Sequence, residues 1–236
     1  IAKYGVGLDM IDMDAMRRHE KRLGWKGGVN RRSVSEMVIS VVVSMLRHIP
    51  VAQREVVNGT WRQHVGGLLS GRTIGVIGCG FVGKDLVSLL QPWKCKILAY
   101  DILEFPDFYS LHDVRAVSLE ELLSSSDVVT LHLPLTKLTK NLLCAEKLRL
   151  MKPEAVLINA ARGGLIDEGE VKSMLKTGRL AAAAFDVFEA EPPSDTELLN
   201  LDNFFATPHI GGSATEAIIA MGRSAIAGLD ENAIPL

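Results

Sequence analysis

From Arg72 onward, short continuous apolar runs alternate with amphipathic ones. Thr73–Ile77, Lys96–Tyr100, Asp127–Leu131, Ala155–Asn159, Ala181–Phe185 and Asn203–Ala206 predict strands. Between them, Val82–Leu90, Leu119–Leu123, Ala145–Met151 and Glu168–Thr177 carry apolar residues at helical spacing. Strands that are apolar throughout and separated by helices predict a parallel sheet covered on both faces, an α/β fold. Ligands of such sheets bind beyond the carboxyl ends of the strands, so the polar residues that follow each strand are the functional candidates.

The first third of the chain reads differently. Residues 1–9 predict a strand running into a Gly5-Val6-Gly7 turn, Ile11–Leu23 a helix and 24–30 a loop. Ser33–Asn58 predicts one long helix, with Ser33 as its cap, Glu36 completing a capping box and Pro50 as a kink or an interruption. Its greasiest part, Met37–Leu46, is too short to span a membrane and reads as a buried helix. Residues 59–71 form a connection that carries Trp61, read as packing with subunit contact as the lesser alternative.

The most informative stretch is Gly78-Cys79-Gly80-Phe81-Val82-Gly83. It follows a strand, opens a helix, and is succeeded by a second strand ending on Asp101, the context that makes G-x-G-x-x-G a dinucleotide fingerprint. Gly78 permits the tight turn, Gly80 lets a pyrophosphate approach the backbone, and Gly83 lets the helix pack on the sheet. The helix start near Phe81 offers unpaired N–H groups and a positive dipole end. Asp101 is suited to the ribose hydroxyls and repels a 2′-phosphate; Ile102 and Leu103 supply no cation to receive one. The expected cofactor is NAD rather than NADP.

With 236 residues, 47% of them hydrophobic, the chain is long enough for one or two domains. A net charge of −2 without a basic block argues against nucleic acid as a partner. Cys79, Cys95 and Cys144 have no metal or redox spacing; they read as reduced packing thiols, consistent with a cytoplasmic setting.

Three further strand ends carry chemistry. Asn159 runs into Ala160-Ala161-Arg162-Gly163-Gly164, Phe185 into Asp186-Val187-Phe188-Glu189-Ala190-Glu191-Pro192, and Ala206 into Thr207-Pro208-His209-Ile210-Gly211-Gly212. An Arg holds a substrate carboxylate with two parallel hydrogen bonds. A His titrates near neutrality and exchanges a hydroxyl proton. A carboxylate beside it favours its protonated form, and both Glu189 and Glu191 are placed for this. That set suits hydride transfer between NAD and a 2-hydroxy acid. His132 also follows a strand, without a partner in the sequence, and reads as structural.

The chain resembles the D-isomer-specific 2-hydroxyacid dehydrogenases, which include phosphoglycerate dehydrogenase. The resemblance rests on Tyr4-Gly5-Val6-Gly7-Leu8-Asp9, Asn30-Arg31-Arg32-Ser33-Val34-Ser35-Glu36, the glycine fingerprint, Leu131-His132-Leu133-Pro134-Leu135-Thr136 and the three strand ends above, in the family's order along nearly the whole chain. It implies a Rossmann-type doubly wound parallel sheet with part of a second, flavodoxin-like substrate domain. It implies Arg162 as the substrate-binding residue, Glu191 as partner of the catalytic His209, and Val6 and Gly7 as a loop whose N–H groups hold the substrate carboxylate. Phe81 and Val82 would meet the pyrophosphate and Asp101 the ribose. Ala160, Ala161, Arg162, Asp186, His209, Gly211 and Gly212 would surround the rest of the cofactor, with no metal. Met10 departs from the family's usual Asn.

Family members carry a domain-sized segment ahead of the Tyr4 motif. Residues 1–10 and 213–236 are therefore expected to belong to a partial substrate domain, and 11–212 to the NAD-binding domain, including the long helix near 33–58. Residues 1–236 by themselves are expected to bind NADH and to turn over 2-keto acids poorly. The implied assembly is a homodimer. The alternative to an enzyme is a non-catalytic NAD-binding module, corepressor-like or an inactive cofactor domain.

Overall fold

Seven strands, all parallel, form one sheet in the order β3-β2-β1-β4-β5-β6-β7. They are β1 (Thr73–Ile77), β2 (Lys96–Tyr100), β3 (Val114–Ala116), β4 (Val128–Leu131), β5 (Val156–Asn159), β6 (Ala182–Phe185) and β7 (Phe204–Ala206). The structure is a computed structural model and describes residues 1–235. The helices are α1 (Met13–Arg18), α2 (Arg31–Leu46), α3 (Ile49–Val57), α4 (Phe81–Leu90), α5 (Pro106–Leu111), α6 (Leu119–Ser125), α7 (Ala145–Leu148), α8 (Glu168–Lys176), α9 (Thr196–Leu199) and α10 (Thr215–Ala227).

The central strands β4, β5 and β6 are buried at every position, as expected of strands covered on both faces. One apolar cluster joins Leu122, Leu131, Leu157, Val171 and Phe185; the other joins Val38, Val42, Val76, Leu86 and Ile158. Neighbours on β4 and β5 thus face opposite clusters, which is the period of two of a strand. Register aligns the strand ends: Ile77 pairs with Tyr100 and Leu131, Leu131 with Asn159, Asn159 with Phe185, and Phe185 with Ala206. The loops after these strands consequently open on one edge. Strand order reverses between β1 and β4, where a crevice forms in sheets of this type.

The six predicted strands lie where the sequence puts them, to within one residue. The short β3, α5 and α9 are additional. The first third departs further. Residues 1–9 make no strand; only Ala2 forms an isolated bridge, to Gly24, and helix α1 covers just part of 11–23. The long helix is two helices, α2 and α3, meeting at a 64° bend. The break falls at Arg47 and His48, whose φ of +55° is left-handed, and Pro50 sits in the first turn of α3, where its missing N–H costs nothing. Ser33 does not cap. Helix α2 has already begun at Arg31, and the Ser33 hydroxyl donates to the Gly211 carbonyl at 2.6 Å. The buried α2 face, from Val34 to Leu46, packs on α4, β5 and β6. No single helix among the described residues is long and apolar enough to cross a membrane.

Candidate active site

The glycine turn is built for close packing on one side and open space on the other. Gly78 has a φ of +95°, and a Cβ there would lie 2.7 Å from the His132 carbonyl oxygen. A Cβ on Gly83 would overlap the Gly78 carbonyl, so this glycine seats α4 against the turn. A Cβ on Gly80 would meet no protein atom within 4 Å. Gly80 is also the N-cap of α4 and supplies no side-chain cap. The first turn of α4 follows directly, and its amides, among them those of Phe81 and Val82, have no intrahelical acceptor, which suits an anionic group.

Asp101 braces the turn. Its Oδ2 accepts the Cys79 N–H at 2.6 Å and its Oδ1 the Leu103 N–H at 2.9 Å. Each oxygen retains a lone pair for a further donor. Cys79 itself is buried and burial pushes its thiol up to about 11, so it is a protonated packing group.

Beyond β5, β6 and β7 lies a cleft of about 580 Å³. It brings together Val6, Gly7, Val82, Ala160, Ala161, Arg162, Asp186, His209, Gly211 and Gly212, residues that the sequence analysis singled out from five separate segments. Gly78, Gly80, Phe81, Gly83 and Asp101 do not line this cleft; they lie at the ends of β1 and β2, with Val82 shared between the two regions.

Arg162 is oriented by its neighbours. Its Nε donates to Asp9 Oδ2 at 2.7 Å and its Nη1 to the Ala161 carbonyl at 2.6 Å. Its Nη2 lies against Gly7, where a Cβ would overlap it. The Asn159 side chain holds the turn below by donating to the Arg162 carbonyl at 2.9 Å and accepting the Ala161 N–H at 3.2 Å.

His209 sits at a φ of +55°. The buried Asp186 holds that conformation: its Oδ1 accepts the Thr207 hydroxyl at 2.6 Å and the Ile210 N–H at 2.7 Å, and its Oδ2 the Gly211 N–H at 2.8 Å. The Asp186 carbonyl accepts the His209 N–H at 2.9 Å. The role expected of Asp186 was contact with cofactor; within the protein its carboxylate clamps the histidine loop. Glu191 reaches the imidazole from outside the cleft, with Oε2 2.9 Å from Nδ1. That pairing turns Nε2 away from the glutamate. The competing Glu189 is exposed, and its N–H donates to Glu168.

Two cleft-lining residues hold a buried polar atom without a partner among the described residues, Asn30 Oδ1 and His132 Nδ1. His132 Nε2 lies 3.1 Å from Thr130 Oγ1, and burial pushes this imidazole down to about 3. Asp9, Trp25 and Asn30 also line this cleft; Asp9 and Asn30 stand in motifs that carry the resemblance, whereas no sequence pattern marks Trp25.

Residues 39–211 match the profile of the D-isomer specific 2-hydroxyacid dehydrogenase, NAD binding domain. A D-3-phosphoglycerate dehydrogenase of Archaeoglobus fulgidus is 39% identical over 225 residues, covering 94% of this chain and 43% of that protein. The chain thus spans less than half the length of that relative. Among solved structures, a glyoxylate reductase from Paecilomyes thermophila superposes with a TM-score of 0.90 at 29% identity, over 98% of this chain and 70% of the other. D-lactate dehydrogenase from Aquifex aeolicus, complexed with NAD and lactic acid, gives 0.89 at 26% identity, over 96% and 74%. The match over residues 39–211 and the identity to that relative show that the chain belongs to the D-isomer-specific 2-hydroxyacid dehydrogenase family, through its NAD-binding domain.

Proposed function

We propose that this chain forms the NAD-binding part of an oxidoreductase that interconverts a D-2-hydroxy acid and its 2-keto acid, 3-phosphoglycerate or a similarly small acid. The observation that carries this reading is the Glu191–His209 pair in contact with the cleft that also holds Arg162. The residues fit the cofactor: the space beside Gly80, the uncapped start of α4 and the remaining lone pairs of Asp101 suit a pyrophosphate and a ribose. Bound NAD(H) supplies or takes up the hydride at C2 of the substrate.

The chain's own residues do the rest. Arg162 binds the substrate carboxylate, with Gly7 close enough for its amide to share it. His209 Nδ1–H donates to Glu191, so the proton exchanged with the substrate oxygen is carried at Nε2. Glu191 fixes that tautomer and the orientation of the ring. Asp186 keeps the histidine loop in its left-handed turn. The two unpartnered cleft atoms of Asn30 and His132 offer further hydrogen bonds to bound molecules. The intact pair is what weighs against a purely NAD-sensing module.

In this reading residues 1–10 and 213–236, of which Leu236 lies outside the described residues, belong to a second, substrate-binding domain; Ala2 bridges to Gly24 and Ala233 to Leu23, so both segments meet on one short stretch of the chain. The segment from α3 to residue 68 exposes Trp61 (86%) and Val65 (94%) together with Val57 and Leu68, an apolar face that a second copy of the chain would cover in a homodimer. The proposed setting is the cytoplasm.

The test is His209→Ala in the full-length protein. Turnover of 2-keto acids with NADH should fall roughly 10²–10⁴-fold while NADH binding stays near normal. Undiminished turnover would reject the mechanism.

A further inference from the structure

The loop that faces Arg162 is held from behind. The Trp25 indole Nε1 donates to the Val6 carbonyl at 3.1 Å. In a trans peptide the C=O and the following N–H point in opposite directions. Fixing the Val6 carbonyl on the indole therefore fixes the Gly7 N–H away from it. Gly7 is the residue against which Arg162 Nη2 lies. Among the described residues the amides of Val6 and Gly7 donate to no protein acceptor, although both residues are half-buried.

The indole is itself braced. A Cβ on Gly27 would lie 2.9 Å from the Trp25 ring and 2.8 Å from the Phe81 ring. Gly27 is thus a thin spacer between two aromatic side chains. Gly28 has a φ of +70°, and a Cβ there would overlap the Phe81 ring. Both glycines are needed for the Phe81 ring to lie over this turn. Phe81 is the first residue of α4, at the fingerprint. One continuous set of contacts therefore runs from the start of the cofactor helix, through Gly27, to the indole and the Val6–Gly7 peptide.

We propose that Trp25 is a positioning residue for substrate. Its indole N–H sets the orientation of the Val6–Gly7 peptide, so that the Gly7 amide is presented to a carboxylate held by Arg162. Phe81, across Gly27, fixes the indole relative to the cofactor helix. This inference rests on the reading of the cleft as a 2-keto acid site.

Trp25→Phe separates the two roles of the indole, because it keeps a ring beside Gly27 and removes the donor. In the full-length protein saturated with NADH, oxamate serves as the carboxylate probe and pyruvate or glyoxylate as substrate. The oxamate dissociation constant and the KM for the keto acid should rise about tenfold, the scale of one lost hydrogen bond. Affinity for NADH and thermal midpoint should stay close to wild type, and kcat should change less than KM. Phe81→Ala should raise the same constants by loosening the indole. With 15N-labelled tryptophan, the Trp25 indole N–H should exchange slowly and shift when oxamate binds. Oxamate affinity within about twofold of wild type in Trp25→Phe, or a rapidly exchanging indole N–H, would overturn the inference alone. Failure of the wild-type protein to bind oxamate in the presence of NADH would reject the reading of the cleft, and the inference with it.

Discussion

Glu191 Oε2 lies 2.9 Å from His209 Nδ1, while Glu189, two residues earlier and exposed as Glu191 is, turns its backbone N–H to Glu168. Glu191 is further fixed by the Phe188 N–H, which donates to its Oε1 at 3.2 Å. The two glutamates are equivalent in charge and nearly so in sequence position. Geometry distinguishes them: only Glu191 is aimed at the imidazole of His209.

Glu191→Ala should therefore lower kcat by about 10²-fold or more in the full-length protein, since it frees the imidazole to take the wrong tautomer. Glu189→Ala should leave kcat within about twofold, as expected of an exposed group away from the chemistry. Steady-state kinetics of the two variants decide the assignment. A larger loss for Glu189→Ala would transfer the role to that residue.

Gly80 and Gly83 make an instructive contrast. At Gly80 a Cβ enters open space, at a φ of −78° and a ψ of −145° just past the edge of the extended region, so alanine should cost no more than about 1–3 kcal/mol of stability. The same methyl occupies the space proposed for the pyrophosphate, and the NADH dissociation constant should rise at least ~10-fold, about 1.4 kcal/mol. At Gly83 a Cβ would overlap the Gly78 carbonyl, so alanine there should destabilise the fold itself. Fluorescence titration with NADH and urea unfolding separate the two outcomes. Tight NADH binding by Gly80→Ala would show that the diphosphate lies elsewhere.

The parts of this molecule that were legible in the sequence are those governed by local pattern. Strands such as Val128–Leu131 and Val156–Asn159 announce themselves because they are buried on both faces. Arg162 and Asp186 were legible because each closely follows such a strand, whereas Val6 and Gly7 follow none and stand out only through the resemblance. The three-residue β3 was not: only Val114 of it is buried, and Arg115 and Ala116 are exposed on the sheet edge. The break between α2 and α3 depends on a left-handed histidine, His48, and nothing in the sequence marks it except Pro50, which reads equally well as a kink. Ser33 and Glu36 spell a capping box inside a helix that starts earlier, because the Ser33 hydroxyl is engaged by Gly211, 178 residues away. The Asp186 clamp and the Asp9–Arg162 pair escaped for the same reason. Their partners are distant in sequence, and no local spacing encodes them.

Asp101 braces the glycine turn and is proposed to hold the ribose, and its substitution should show both. In the wild-type protein NADH should bind at least ~10-fold tighter than NADPH, about 1.4 kcal/mol. Asp101→Ala should weaken NADH and relax the preference. Asp101→Asn should not rescue it fully, because both carboxylate oxygens accept backbone N–H groups and an amide supplies only one acceptor. Titration of each variant with both nucleotides is the measurement. Equal affinity of the wild type for NADH and NADPH would sink the assignment.

His132 links the site to the pH dependence of stability. Burial pushes its imidazole from 6.5 down to about 3, so the native protein holds it neutral. Between those values the unfolded chain binds a proton that the folded chain does not. Stability from this group is therefore fully present above about pH 6.5 and declines as pH falls, by up to about 1.4 kcal/mol per pH unit, until the folded ring titrates as well. His132→Gln removes the titrating group and keeps a neutral polar side chain near Thr130. Urea unfolding between about pH 7 and about pH 5, above the range of ordinary carboxylates, should show a shallower acid slope for the variant than for the wild type. Parallel slopes would mean that the ring is already protonated, or solvated, in the native cleft. The variant also tests the unpartnered Nδ1. If that atom hydrogen-bonds a bound molecule, His132→Gln should change NADH or oxamate affinity while its thermal midpoint at pH 7 stays close to wild type.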